Sequence, residues 1–129
     1  MGAWSYEVLS NDRALDAMLD LQESKNIKED ITKLLENGNI DEKVLACEIV
    51  DISINGVDEE ILGGLYGYEE FFKKLQNNPM TDLKLKAFHT IKYVQEHDGG
   101  WIDKVKEQRA DLLRKIGWRT IMISDKTKL

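Results

Sequence analysis

The chain of 129 residues contains one cysteine, one proline and two histidines, and each scarcity removes a class of explanation. A lone cysteine, Cys47, cannot close an internal disulfide, so packing must hold the fold. The lone proline, Pro79, rules out a proline-rich linker or tail. No apolar run approaches the ~20 residues that a membrane span requires. The histidines, His89 and His97, lie eight positions apart, not at the i, i+4 spacing that suits zinc on one helix face. Glu96-His97-Asp98 is a weak metal signal, and His97 is better explained by a helix C-terminal dipole. Neither histidine neighbours a Gly-x-Ser-x-Gly elbow or a plausible cysteine nucleophile. Gly63, Gly64 and Gly67 have no Gly-Lys-Ser/Thr ending and no preceding strand, which excludes a phosphate cradle. No catalytic, cofactor-binding or metal-binding residue is therefore assigned, and the chain reads as a non-enzyme. The opening Met-Gly-Ala-Trp-Ser-Tyr-Glu lacks the basic and apolar regions of a signal peptide, and an acyl chain on Gly2 would lack a second membrane signal. The expectation is a cytoplasmic protein with no membrane partner.

What is present is an ordinary globular composition, 42% hydrophobic and 33% charged, at a length that suits one domain. The net charge of −6 is unevenly placed. Residues 1–64 carry 15 Asp/Glu against 5 Lys/Arg, while residues 65–129 carry 9 against 13. Nucleic acid is not an expected partner of the acidic half, because phosphate contacts need clustered Lys and Arg. An acidic face favours a cationic partner, unless the two halves neutralise each other inside the fold. Composition leaves those alternatives equal.

The most apolar stretch is Lys43–Asn55. At helical pitch Glu48, Asp51 and Asn55 fall on one narrow side, and Leu45, Ala46, Cys47, Ile49, Val50, Ile52 and Ile54 spread over the rest. Such a helix must be covered from several directions. A strand over 48–54 competes, since Ile and Val are β-branched and Asn55-Gly56 suits a hairpin. Asp41 as N-cap, Glu42 in the first turn and Gly56 as C-terminal stop favour the helix. Cys47 reads as a small core residue.

The flanking segments read as further helices. Ser10 or Asn11 caps one to about Gln22, with Asp12, Asp16 and Asp20 at i, i+4, i+8 as a solvated face or a face for cations. Others cover about Ile27–Glu36, a short stretch around Phe71, Phe72 and Leu75, a stretch from a Thr81 or Asp82 cap to about Glu96, and Trp101 to Ile116, where Gly117 stops the last. Trp118–Ile123 reads as a docked terminal strand or an extended segment, and 124–129 as a polar tail. The fold predicted is mainly α: about six helices around a central apolar helix at 43–54, one domain over 1–123 with a possible short C-terminal strand. Trp4 and Tyr6 suggest that the N-terminal arm docks on the body.

The Gly-rich loop sets Tyr66 and Tyr68 among Asp58, Glu59, Glu60, Glu69 and Glu70. Tyrosines ringed by carboxylates suit protein recognition, and equally they suit a lid on the core.

The opening Met1-Gly2-Ala3-Trp4, with Asn11-Asp12, Ala14 and Asp16, resembles a bacterial family of small domains of unknown function. Its members begin Met-Gly-Ala/Thr-Trp-Gly and continue with Asp-Asn-Asp and an Ala-x-Asp helix. Val44–Val50 is similar to that family's Ala-rich helix. Ser5 stands where Gly is usual, and Leu9-Ser10 where Phe-Asp is usual. The resemblance implies a mainly helical bacterial protein in which Trp4 pins the arm and Asn11 caps the first helix. It supplies no catalytic residue.

The function expected is that of an immunity protein that neutralises a secreted or contact-dependent toxin, a basic nuclease being the natural target of an acidic face. Asp58, Glu59, Glu60, Tyr66, Tyr68, Glu69 and Glu70 are the expected partner-binding residues. The competing expectation is a helical regulatory or adaptor domain that can self-associate.

Overall fold

Helix α3, Ile40–Asn55, is the element on which the others are laid. The computed structural model describes residues 7–9, 11–62 and 67–123. Every side chain of α3 from Val44 to Ser53 is buried, including Glu48 and Asp51. The helix begins earlier than the sequence reading placed it. Asn39, not Asp41, is the N-cap. Its side chain accepts from the Glu42 amide at 2.9 Å, and the Glu42 carboxylate accepts from the Asn39 amide at 2.9 Å. This reciprocal pair satisfies two free amide groups at once, which a lone Asp41 cap could not do. Gly56 ends α3 at φ +87°, a conformation that side chains rarely adopt.

Several neighbours cover α3. Helices α1 (Asp12–Glu23), α2 (Ile27–Asn37), α5 (Glu69–Asn77) and α6 (Lys84–His97) pack on it, as does a segment at 119–123. Their buried side chains explain why: Ala14, Ala17, Met18 and Leu21 line one side of α1, Phe71, Phe72 and Leu75 one side of α5, and Ala87, Ile91 and Val94 one side of α6. Asn11 caps α1 as expected, accepting from the Ala14 amide at 2.8 Å. The turn between α2 and α3 is tight enough that a Cβ on Gly38 would lie 2.6 Å from the Leu34 carbonyl oxygen. A single 3-10 turn, Thr81–Leu83, leads into α6, so neither Thr81 nor Asp82 caps it with a side chain. Asp82 instead pairs with Lys28.

Short helix α4, Glu59–Leu62, receives the N-terminal arm. The Val8 amide donates to the Ile61 carbonyl at 3.0 Å and the Leu9 amide to the Leu62 carbonyl at 3.3 Å, with both side chains buried. Trp4, Tyr6 and the alternative cap Ser10 lie outside the described residues.

The C-terminal end departs from the sequence reading. Helix α7, Asp103–Trp118, runs through Gly117 and continues as a π-helical turn, Arg119–Ile123, where a strand was expected. Gly117 does not stop the helix, because its missing side chain serves packing: a Cβ there would meet Ile91 Cγ2 at 3.2 Å. Among the described residues there is no strand, and no helix is long and apolar enough to cross a membrane.

Candidate functional site

The structure gathers charge in three places. The first lies at the C-terminal end of α3. Asp51 is fully buried there, and Arg119 reaches it from the π-helical turn with Nε 2.8 Å from Oδ2. The same guanidinium donates to the Gly56 carbonyl at 2.7 Å, and Asn55 Nδ2 donates to the Arg119 carbonyl at 2.7 Å. Asp58 lies 3.7 Å from Arg119 Nη1 and 3.0 Å from Lys115 Nζ. Burial alone would raise the Asp58 carboxyl, but hydrogen bonding and charge from Lys115, then Arg119, hold it below the usual range. Glu48 lies one turn before Asp51 and is 0% exposed. No donor group reaches either of its oxygens, and its hydrogen-bonding neighbour is the Asp51 carboxyl. Burial first, then the neighbouring Asp51, push the Glu48 carboxyl well above its ordinary range.

The second gathering is the expected partner-binding loop, which the fold divides. Lys115 engages both Asp58 and Glu60, the latter at 3.1 Å. Two of the loop's carboxylates are thus answered by cations from the later half of the chain. Glu69 and Glu70 are exposed in the first turn of α5, with no ion pair among the described residues. Tyr68 is half-buried and packs against Phe72 at 6.0 Å between ring centroids, so its ring belongs partly to the core. Tyr66 and the Glu59 side chain lie outside the described residues.

The third is the outward face of α1. Asp12, Asp16, Asp20 and Glu23 are all exposed, and none has an ion-pair partner among the described residues. At helical pitch they occupy an arc of roughly 80°. Leu19, 57% exposed, lies about 20° outside that arc, beside Asp12. The spacing of the three aspartates was visible in the sequence, and the solvated face it suggested is what the fold presents.

The described residues contain no group of three His, Cys, Asp or Glu side chains that could hold a metal ion. Cys47 is buried with its Sγ 3.3 Å from the Ala87 carbonyl, and burial pushes the thiol up, away from the reactive thiolate. His97 stacks on Tyr93 at 4.0 Å, with Nδ1 2.8 Å from the Tyr93 carbonyl. His89 lines a shallow surface groove of about 750 Å³ between α2 and α6. The carboxylates of that groove, Glu36 and Asp82, are held by Lys86 and Lys28.

Sequence reasoning missed Lys115 and Arg119 as partners of the acidic half. Glu48 and Asp51 were recognisable as polar residues in the most apolar helix, but Arg119 is 68 residues from Asp51, and no local pattern links them.

Residues 2–112 match the family model described as Domain of unknown function (DUF4259), and the chain belongs to that family. No curated protein and no solved structure matches the chain. The matched stretch ends inside α7, so Lys115 and Arg119 lie beyond it.

Proposed function

We propose that this member of the DUF4259 family is an immunity-type inhibitor, a non-catalytic protein that captures a cationic toxin domain on an acidic face. The observation that carries the reading is the outer face of α1. Like charges at i, i+4 repel by a few tenths of a kcal/mol per pair, and no cation answers Asp12, Asp16, Asp20 or Glu23 within the described fold. Such a face costs the isolated protein stability and gains when a cationic surface is brought against it. Its field steers a basic partner into encounter, and Leu19 offers an apolar contact that ordinary salt does not weaken. A nuclease surface built to hold phosphate has the complementary charge. Glu69, Glu70 and Tyr68 at the start of α5 offer a second contact. Asp58 and Glu60 contribute less than the sequence suggested, because Lys115 already holds them.

Co-expression with the protein encoded beside it tests the proposal. The expected result is a complex and protection of the host cell, with association slowing as salt rises. A variant carrying Asp12→Asn, Asp16→Asn, Asp20→Asn and Glu23→Gln should keep the fold and associate at least tenfold more slowly. Absence of both complex and protection sinks the inhibitor reading. Unchanged association of the variant sinks the choice of face. A stable homodimer in light scattering that buries the α1 face would favour the adaptor reading instead.

A further inference from the structure

We propose that Glu48, Asp51 and Arg119 form a proton-operated latch: a proton held on the buried carboxyl pair keeps the segment Arg119–Ile123 seated on α3, and its loss loosens that segment ahead of the rest of the fold.

The charge count at the end of α3 comes first. Three carboxyl groups, Glu48, Asp51 and Asp58, meet two cations, Arg119 and Lys115, and Lys115 is shared with Glu60. Arg119 is taken by Asp51 and Lys115 by Asp58. Glu48 is left without either, sealed from solvent, with no donor group on its oxygens and the Asp51 carboxyl as its hydrogen-bonding neighbour. A full charge there would be neither solvated nor paired, so the neutral acid is the form the fold can hold.

Among the described residues the surroundings offer no other charge to balance it. On α3 itself the nearest titratable groups are Asp51 and the Cys47 thiol. The loop to α4 contributes Asp58, and the C-terminal segment contributes Arg119, the cation whose field reaches Glu48. The buried side chains of α1, α2 and α5 are all apolar, and those of α6 add only Thr90. Burial and the Asp51 charge act on Glu48 in the same direction as the geometry does.

Arg119 couples that proton to the segment. Three polar attachments to α3 or its end converge on this one residue, through Asp51, Gly56 and Asn55. Ionised Glu48 would compete with Asp51 for the guanidinium and draw water toward two adjacent buried carboxylates. Helix α7 has its own anchors in Leu112, Leu113 and Ile116, so the five-residue turn can loosen while α7 stays docked.

Hydrogen exchange of the whole chain, corrected for the intrinsic pH dependence of amide exchange, reads this directly. In the unmodified protein the protection of 119–123 should fall about tenfold per pH unit above the ordinary glutamate range, until Glu48 ionises in the closed state as well, while α1 and α3 remain protected. In Glu48→Gln that fall should be absent. A fall of equal size in Glu48→Gln, or no fall in the unmodified protein up to about pH 10, overturns the latch. Should Glu48→Gln fail to fold, the side-chain carboxyl carbon shift of Glu48 in the unmodified chain decides. Titration near pH 4 to 5, as in an ordinary glutamate, overturns the proposal, and a shift that stays fixed through about pH 7 supports it.

Discussion

Two guanidinium groups, Arg109 and Arg119, are withdrawn from solvent, and they are provided for differently. Arg109 takes both oxygens of Asp98, at 3.0 and 3.3 Å, and lies over the Trp101 ring at 4.9 Å. The second carboxyl in its field, Asp41, is raised by burial and lowered by Arg109, but it is only half-buried and still meets water. Arg119 also has a second buried carboxyl nearby, Glu48, and that one has no access to water. Both clusters therefore carry more acid than base. The difference is whether the surplus can be solvated, and that decides which cluster must keep a proton.

The largest effect should come from breaking the cluster whose members are all engaged. Asp98→Ala removes the carboxylate that Arg109 grips with two nitrogens, and urea unfolding should show a loss of about 3–5 kcal/mol. A loss under about 1 kcal/mol would mean that Arg109 is served by another group and that the contrast is misplaced. An intermediate effect of opposite sign is expected at the other cluster. The carboxyl of Glu48 is raised well above its ordinary value of 4.5 in the folded chain. Below that value both states hold the proton and stability does not depend on it. Above it the unfolded chain releases the proton while the folded chain keeps it, so stability falls by about 1.4 kcal/mol per pH unit until the folded value is passed. Glu48→Gln removes this slope and should be the more stable protein at neutral pH, by a margin that grows with pH across that window. Equal pH profiles for the two proteins would erase the distinction between the clusters. The smallest effect should be that of Lys115→Ala. This side chain is 38% exposed, and Arg119 still stands 3.7 Å from Asp58, so a loss of about 0–1 kcal/mol is expected in the same unfolding measurement.

Much of the architecture was legible in the chain because it is local. The apolar circumference of 43–54 announced the central helix, and Asn11 was readable as a cap because its bond closes over three residues. Errors arose where one signal competed with another, local or distant. Asp41 looked like the cap of α3 until Asn39 and Glu42 formed their reciprocal pair. Gly117 looked like a stop, but the packing of Ile91 determines its role. The candidate site was less legible. The acidic residues were visible, but which of them would be neutralised depended on Lys115 and Arg119, more than fifty residues away in sequence from Asp58 and Glu60. Helical periodicity reports what faces a core, and it is silent about which charges meet across one.

The glycine inside α7 has a mechanical consequence. Where a Cβ would stand at position 117, Ile91 Cγ2 is 3.2 Å away and the Phe88 ring 3.8 Å. The main chain of α7 therefore lies directly against the Ile91 and Phe88 side chains of α6, with no rotamer at 117 to take up slack. Joined in this way they act as a bracket. The π-helical turn continues from its end onto α3, and a stiff mount holds the Arg119 guanidinium against buried Asp51.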